Sequence, residues 1–569
     1  MNKRQLSFED LIYILAFALA LGVRMLNLGV EPLSDLEAAS AISALDLPAG
    51  DAAALPPQPG YLALTGMAFS LLGSSNALAR LWPALAGSLM VLIPLLGRHR
   101  LGRKAALFLA FGLALDPGLV ALSRQVGGQI MAISFGTLVL TLFFTRKPAW
   151  SGIFAGLALL SGPAVWVGLL GLGIALGMAV LVRSVAGRGD RFKMAALTEH
   201  AGFSQQYLRV WFIFTCGTVL LVGTIFTYFP AGLSLFGKSL TVFLQGWGSW
   251  SGVPAGRLLA AVGVYLPLAL IFAGVAAGRD WERGRWFVLW FLAALAVVLV
   301  YPARQVGDVA WVIVPLWTLA GLAFSDDLME DWRERVSLGQ AATVVVLLVM
   351  AWLTLAGMRF DVADALRVRW LLIGGVFVLG VLSVVFVGLG WSWGVARSGT
   401  VLGVLVAFGL YTLAAMFGLS QVRPGSPTEL WFPPPQTGQA DLLAGTLTDL
   451  SLRQTGDANS LDGVVLLDSP ALRWVLREFS DIVFVSSLEE GALPAVVIAP
   501  VESETMAWAA AYRGQDFVWR LSPSWLGGAP SPWVDWFVFR DAPLESTSII
   551  LWARGDLFPD EEGDGKGTE

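Results

Sequence analysis

About thirteen apolar segments, each about as long as a bilayer is thick, constrain this chain more than any other feature. A helix needs about 20 apolar residues to cross the hydrocarbon core of a membrane. Hydrophobic residues make up 56% of the chain and charged residues only 14%, against about 25% charged in a soluble domain. The sequence therefore predicts a mainly α-helical, polytopic transmembrane bundle. The segments lie near residues 11–28, 77–97, 105–123, 129–144, 149–162, 164–182, 208–228, 256–277, 286–301, 308–324, 338–357, 368–390 and 399–419. Gly162-Pro163 interrupts residues 149–182, which one long broken helix would also explain.

Charge is divided unevenly along the chain. From Pro424 to the end there are 22 acidic and 8 basic residues, whereas the rest has 20 acidic and 29 basic residues. In the apolar part, basic clusters fall on alternate short loops, and basic loops stay in the cytoplasm. We therefore expect an integral plasma-membrane protein with a cytoplasmic N-terminus and an extracytoplasmic C-terminal domain. Membrane lipids are expected partners, and nucleic acid is not.

The sequence predicts four regions. Residues 1–422 form the transmembrane module, with a first outer loop at 30–76, and residues 423–440 form a Pro-rich linker. Residues 441–558 form an α/β domain, and residues 559–569 an acidic, disordered tail. The predicted elements of the domain are strands at Val464–Leu467, Ile482–Val485 and Ala495–Ala499, a helix at Pro470–Phe479, and strand-like runs at Trp533–Phe539 and Ser548–Trp552.

Cysteine and histidine are too few to form a metal centre of the usual kinds. Cys216 is the only cysteine, and both histidines, His99 and His200, lie beside loops rich in Lys and Arg. A disulfide framework within one chain is excluded, and a metal site built from histidine is disfavoured.

The first outer loop holds the most informative pattern. An acidic motif, Glu31-Pro-Leu-Ser-Asp-Leu-Glu-Ala38, is followed by a small-residue helical stretch and a Pro-rich step, Pro56-Pro-Gln-Pro-Gly-Tyr61. A second half-apolar stretch leads to the next span at Asn76-Ala-Leu-Ala-Arg-Leu-Trp-Pro83. This order resembles the N-terminal module of the GT-C glycosyltransferases, in the family 39-type branch of protein mannosyltransferases and aminoarabinose transferases. The resemblance covers residues 8–145, and beyond them it is one of hydropathy and topology.

The resemblance implies transfer of a sugar from a polyprenyl-phosphate donor to a lipid, protein or glycan acceptor outside the cytoplasm. An inverting transfer needs a carboxylate to take the proton of the acceptor. Asp35 and Glu37 are the available catalytic carboxylates. Residues two apart on a helix do not share a face, so at most one of them is expected to point into a cavity.

Eight further residues are candidates for binding the lipid phosphate, the sugar or the acceptor. Arg124 suits a phosphate, since a guanidinium matches that geometry. An interfacial anchor is the alternative for each arginine, loop shaping for the Pro-rich step and an aromatic belt for the tryptophan. The eight are Arg124, Gln129, Arg80, Gln58, Tyr61, Arg257, Arg304 and Trp247.

The chain departs from the family in its acidic motifs. Leu36 stands where the family's adjacent Asp-Glu pair has an aspartate, and two acids of the second outer loop are replaced by Gln125 and Gln129. A metal ion held by carboxylates is therefore not expected, and no cofactor is. Two other functions stay open: a non-catalytic scaffold or accessory to lipid-linked sugar export, and a secondary transporter. The transporter predicts internal repeats and ionisable residues at mid-membrane.

Overall fold

The chain forms two compact units. Its structure, a computed structural model, describes residues 7–47, 54–185, 204–324, 326–360, 363–489, 491–501, 510–525, 530 and 532–558. The helical unit comprises Met1–Gly29, Ser43–Phe432 and Gly527–Ala542, and the sheet unit comprises Val30–Ile42, Pro433–Leu526 and Pro543–Glu569. The sheet unit thus includes part of the first loop (residues 30–76). The predicted acidic tail lies outside the described residues.

Helices account for most of the helical unit. They are α1 (Phe8–Met25), α3 (Pro59–Leu72), α4 (Asn76–Leu89), α5 (Leu92–Leu101), α6 (Arg103–Leu115), α7 (Pro117–Ser123), α8 (Gln129–Phe144), α9 (Pro148–Leu159), α10 (Ala164–Val185), α11 (Gln205–Gly223), α12 (Gly232–Gln245), α13 (Ala255–Tyr265), α14 (Pro267–Arg279), α15 (Trp281–Val300), α16 (Ala310–Ala323), α17 (Arg335–Gly357), α18 (Ala363–Gly390), α19 (Trp393–Phe417) and α22 (Trp533–Phe539). Helix α2 (Asp35–Leu45) begins in the sheet unit.

Eight helices of the described residues are long and apolar enough to cross a membrane, and as many as ten if each of two bent pairs is one span. All thirteen predicted segments are helical. Two of them, α8 and α9, are shorter apolar helices, and α1 carries Glu9, Asp10 and Arg24. The chain is therefore an integral membrane protein. The eight are Asn76–Leu101, Ala164–Val182, Gln205–Gly223, Trp281–Val300, Val306–Ala323, Arg335–Phe360, Leu366–Gly390 and Trp393–Val422.

Proline marks the bend in both pairs. Helices α6 and α7 meet at 51° before Pro117, and α13 and α14 meet at 83° before Pro267. Proline has no N–H and clashes with the preceding turn, so a straight helix cannot continue through it. At the first bend, the Asp116 carboxylate accepts hydrogen bonds at 2.7 Å from the Leu119 N–H and from the Trp317 indole. The polar groups freed by the break are thus paired.

A six-stranded mixed sheet lies in the described residues of the sheet unit. Its strands are β1 (Gln436–Thr437), β2 (Gly463–Val465), β3 (Ile482–Phe484), β4 (Val496–Pro500), β5 (Tyr512–Pro523) and β6 (Leu544–Arg554), in the order β1-β5-β6-β4-β2-β3. Strand β2 pairs in parallel with β3 and β4, and the other pairs are antiparallel. Strand β4 is central and buried, which explains its uninterrupted apolar sequence. Helices α20 (Ala440–Thr455) and α21 (Pro470–Val475) complete the unit.

Most of the predicted elements of the C-terminal region are confirmed, and one is wrong. Strands β2, β3, β4 and β6 occupy the predicted strand segments, and α21 is a shorter form of the predicted helix. The strand predicted at Trp533–Phe539 is instead helix α22. Pro532 precedes its first turn, and Trp533, Trp536 and Phe537 have helical rather than alternating spacing. The helix also belongs to the helical unit and takes no part in the sheet.

Candidate functional site

Asp35, one of the two predicted catalytic carboxylates, is the first residue of α2 and lies in the sheet unit. Its Oδ2 accepts hydrogen bonds from Arg520 of β5, from Nε at 2.9 Å and from Nη2 at 2.6 Å. Its Oδ1 accepts from the Ser469 hydroxyl at 2.6 Å and from the Ala471 N–H at 3.0 Å. Both oxygens are engaged, and charge-assisted bonds of this kind are stronger than neutral ones.

Ser469 connects Asp35 to the start of helix α21. It is the N-cap of that helix, and its hydroxyl accepts from the Leu472 N–H at 3.3 Å. The same hydroxyl accepts from the buried Trp519 indole at 3.2 Å. Asp35 therefore joins the capping contacts at the N-terminus of α21 and holds Arg520 beside it.

Glu37, the second predicted carboxylate, closes the first turn of α2. Its Oε2 accepts from the Ser34 N–H at 3.2 Å and from the Ser34 hydroxyl at 3.3 Å, and the Glu37 N–H in turn donates to that hydroxyl. This reciprocal pattern is a capping box. Glu37 is 9% exposed, whereas Leu36 between the two acids is 65% exposed. The two carboxylates have separate partners, as their helical spacing requires.

In the helical unit, the turn from Arg124 to Gln129 joins α7 to α8. Arg124 donates four hydrogen bonds of 2.7 to 3.2 Å to the backbone carbonyls of Val23, Arg24, Leu26 and Asn27. The last carbonyls of a helix have no partner within the helix. Arg124 therefore caps the C-terminal end of α1, a position that also suits positive charge.

Gln58 and Gln129 both bind backbone near this turn. The Gln58 side-chain oxygen accepts from the Gly128 N–H at 2.6 Å. Gln129 packs over Gly307, where an added Cβ would lie 1.9 Å from its side-chain oxygen. The Pro-rich step and the second loop thus meet through side-chain amides, and only glycine fits beneath Gln129.

Tyr61 and Arg80 are buried in the helical unit. The Tyr61 hydroxyl donates to the Ala79 carbonyl at 3.0 Å, and Arg80 Nη1 donates to the Leu28 carbonyl at 3.4 Å. Both side chains are at most 5% exposed. Their described contacts fix the first turns of α3 and α4 against neighbouring backbone.

Arg257 binds the segment that follows α19. Its Nε donates to the Leu430 carbonyl at 3.1 Å, and its Nη2 donates to the carbonyls of Glu429 at 3.3 Å and Phe432 at 2.7 Å. Arg257 is 2% exposed. The first part of the predicted linker is therefore packed into the helical unit.

The sequence gave no signal for a buried ionic cluster around Glu429. The Glu429 carboxylate is fully buried and accepts a hydrogen bond from the Tyr265 hydroxyl. Arg423 Nε lies 3.0 Å from it and Arg540 Nε 3.7 Å. The Arg540 guanidinium also lies 4.8 Å from the centre of the Tyr265 ring. These residues are far apart in sequence, and neither carboxylate spacing nor periodicity relates them.

Arg304 and Trp247 lie near Tyr301, at the end of α15. Arg304 donates from Nε to the Val253 carbonyl at 2.7 Å and from Nη1 to the carbonyls of Leu299 and Tyr301. The rings of Trp247 and Tyr301 are 5.3 Å apart. Trp247 is 41% exposed, which leaves aromatic surface for a ligand or for lipid.

Tyr301 itself stays neutral at ordinary pH. Burial, with a smaller effect from Asp308, raises the pKa of its phenol to about 12. The neutral hydroxyl donates to the Phe243 carbonyl at 3.0 Å. Tyr301 therefore orients the surroundings of Trp247 and does not supply a base.

Metal ligands do not converge in the part of the chain that the structure describes. Within it, no three His, Cys, Asp or Glu side chains are placed to hold a metal ion. A reaction without a metal ion stays a prediction from the sequence.

The fold is that of a GT-C-type membrane protein, as the sequence predicted. A helical transmembrane unit, an acidic helix start in the first loop and a C-terminal mixed sheet are its parts. No protein-family model matches the chain, and no curated protein does. The likeness is therefore one of structure.

Two structures of ArnT from Cupriavidus metallidurans show this likeness over nearly the whole chain. The one bound to undecaprenyl phosphate has a TM-score of 0.56 at 17% identity, covering 96% of this chain and 98% of that one. The apo structure has a TM-score of 0.54 at 17% identity, covering 95% and 97%. An Archaeoglobus fulgidus oligosaccharyltransferase complex with zinc and sulfate also matches, with a TM-score of 0.36 at 14% identity, covering 82% and 61%. We base no argument on that third match.

Proposed function

We propose that this protein is a membrane glycosyltransferase that moves a sugar from a polyprenyl-phosphate donor to a lipid, protein or glycan acceptor outside the cytoplasm. The observation that carries the proposal is the match to ArnT over both chains almost end to end. That relative was crystallised with undecaprenyl phosphate bound. Likeness of fold is an analogy, and the residues must support it separately.

The sidedness of the proposal follows from the basic residues in short loops. Their alternation supports a cytoplasmic N-terminus and an extracytoplasmic C-terminal region. The first loop, with Asp35 and Glu37, then lies on the side where lipid-linked sugars are consumed outside the cytoplasm.

Of the two candidate bases, Glu37 is favoured by the contacts within the sheet unit. Asp35 accepts four hydrogen bonds, two of them from the Arg520 guanidinium. A carboxylate whose oxygens are so engaged has little capacity left to accept a proton from a substrate hydroxyl. Glu37 bonds to the neutral Ser34 through Oε2. We therefore assign Glu37 as the base and Asp35 as the residue that holds the loop to Arg520.

Binding of the donor phosphate is assigned to Arg124, with Arg80, Arg257 and Arg304 as further candidates. The assignment of Arg124 is supported by the match between a guanidinium and a phosphate. Its four carbonyl contacts favour a capping role instead. The remaining candidates for sugar or acceptor contact are Gln58, Tyr61, Gln129 and Trp247, of which Trp247 has the largest exposed surface.

A non-catalytic scaffold is the second candidate function. The ion pair of Asp35 with Arg520 supports it, because it gives one of the two acids a purely structural use. The amides at Gln125 and Gln129 support it too, since an amide cannot act as a general base or bind a cation strongly. A scaffold of this kind would bind the lipid carrier without turning it over.

Binding of the carrier lipid tests the shared part of both candidates. The purified full chain in detergent is titrated with undecaprenyl phosphate, and its thermal unfolding is followed. At a ligand concentration 100 times the Kd, we expect stabilisation by about 2.7 kcal/mol. Undecaprenol, which lacks the phosphate, is the matched control and should stabilise the chain much less. Equal effects of the two lipids, or no effect of either, would contradict the proposal. Arg124→Ala should weaken binding of the phosphate form, and unchanged affinity would leave Arg124 a capping residue.

A further inference from the structure

An apolar groove lies on the helical unit, away from the residues assigned above. It holds about 230 Å³ and is lined by five leucines, Phe154, Trp150 and Lys147. The leucines come from α4, α5 and α8, and the two aromatic residues come from α9. Since these helices are apolar and the chain is a membrane protein, the groove opens towards hydrocarbon rather than water.

One end of the groove is positively charged. Lys147, in its lining, directly precedes α9 and follows Arg146 in the chain. Arg100 is close to the same turn, because its Nη2 donates to the Phe144 carbonyl at 3.1 Å and its guanidinium lies 5.5 Å from the centre of the Phe144 ring. The stretches 89–104 and 138–154, which form this region, contain no Asp or Glu. The three cations therefore have no acidic neighbour within those stretches.

Trp150 gives the depth of this end in the membrane. It is 60% exposed and lies three residues after Lys147, in the first turn of α9. Exposed tryptophan beside lysine and arginine is typical of the boundary between hydrocarbon and headgroups. The leucines of the groove then lie at acyl-chain depth, and the cations at phosphate depth.

We propose that the groove is a binding site for an anionic phospholipid, with one acyl chain along the leucines and the phosphodiester beside Lys147, Arg100 and Arg146. The positive charge selects this occupant. A zwitterionic lipid would fill the same apolar space but would gain little from three cations, and a soluble phosphate would leave the leucines uncovered. One basic residue near a membrane surface contributes enough attraction for an anionic lipid to change its affinity about fivefold.

The site would be expected whether or not the chain transfers sugar, since it uses none of the proposed catalytic or carrier-binding residues. By the distribution of basic loops it belongs to the predicted cytoplasmic side. Its failure and the failure of the proposed function are therefore separate results.

Native mass spectrometry of the full chain tests the site. The detergent-purified protein is titrated with dioleoyl phosphatidylglycerol or with dioleoyl phosphatidylcholine, which have the same chains. We expect the anionic lipid to be retained preferentially, and Lys147→Gln to weaken its binding about fivefold. Lys104→Gln makes the same change of charge at an exposed position outside the groove, and should leave the binding of phosphatidylglycerol unchanged.

A second pair of variants tests the apolar part. Leu96→Trp fills the groove and should reduce retention of phosphatidylglycerol, whereas Leu96→Met preserves its volume and should not. Size-exclusion profiles show whether each variant is folded, and if Leu96→Trp is not, the lysine pair decides alone. Equal retention of the two lipids, or equal effects of Lys147→Gln and Lys104→Gln, would overturn the proposal. Glycerol phosphate, the headgroup chemistry without tails, should not compete, and competition by it would show that the groove takes no part.

Discussion

At the scale of single residues, the contact between Asp35 and Arg520 fixes the first loop segment of the sheet unit. Asp35 bridges Arg520 and the N-terminus of α21 through four hydrogen bonds. Hydrogen bonds to charged groups contribute about 1.5 to 3 kcal/mol each to stability when made, and more is lost when a partner is left alone. The pair is part-exposed, so its net contribution is at the lower end.

We predict that Asp35→Asn and Arg520→Gln each destabilise the sheet unit by about 1 to 3 kcal/mol. The double variant should cost little more than either single variant, because the two residues share one interaction. Hydrogen exchange of the amides in α21 and β5 measures the effect. Arg513→Gln, an arginine on the same strand outside this contact, is the control. Additive effects of the two substitutions would show that the ion pair is not the source of the stability.

Part of this residue-level site was visible in the sequence and part was not. Ser34 and Glu37 have the spacing of a capping box, which predicts a local contact from four consecutive residues. Arg520 is 485 positions from Asp35, and no local pattern relates them. The roles of Arg124, Arg80 and Arg257 also depend on backbone carbonyls brought near by folding. Sequence identified the arginines but not their partners.

At the scale of elements, the segment after α19 is anchored by the cluster around Glu429. Tyr265 of α13, Arg423 and Arg540 converge on this carboxylate inside the helical unit. Trp536 of α22 donates its indole N–H to the Thr428 carbonyl at 2.8 Å. The start of the Pro-rich segment is thus a packed element rather than a free tether.

Glu429→Gln should destabilise the chain by about 3 to 5 kcal/mol, because it leaves Arg423 and Arg540 without their buried counter-charge. Thermal unfolding of the purified protein, followed by tryptophan fluorescence, measures the loss. Glu545→Gln, an exposed acid on β6, provides the matched control and should leave the unfolding temperature unchanged. Equal unfolding temperatures for the two variants would mean that the cluster does not anchor this segment.

Element prediction succeeded where one periodicity or one residue type dominates. Long apolar runs gave the spanning helices, and prolines gave the breaks before Pro117 and Pro267. Strand β5 escaped prediction because only some of its side chains, such as Phe517 and Trp519, are buried, so its apolar signal is diluted. Trp533–Phe539 was taken for a strand because an aromatic-rich run favours both structures until a cap decides.

At the scale of the whole molecule, the first-loop pattern was enough to predict the fold class. The resemblance that gave the prediction covers residues 8–145, whereas the structural match to ArnT covers 96% of the chain. The remaining helices share length and hydropathy but no motif with that relative, which is why sequence alone stopped there. Sidedness belongs to this scale as well, because it depends on the sum of the basic loops.

We predict that Ser546→Cys, made in a Cys216→Ala background, reacts with a membrane-impermeant maleimide in intact cells. Lys104→Cys in the same background should react only after the membrane is permeabilised. The two positions are both exposed in the structure, so accessibility within the fold does not separate them. The reverse labelling pattern would place the sheet unit in the cytoplasm and remove the first loop from the compartment that the proposed function requires.

Turnover of a lipid-linked sugar tests the central claim most directly. The full chain in membranes is given a panel of undecaprenyl-phosphate sugars with envelope extract as acceptor, and release of undecaprenyl phosphate is measured. We predict release by the unchanged protein and a loss of about 100-fold or more in the Asp35→Asn, Glu37→Gln double variant, most of it reproduced by Glu37→Gln alone. The double variant should still bind undecaprenyl phosphate, which shows that it is folded. Undiminished release by the double variant would contradict the account.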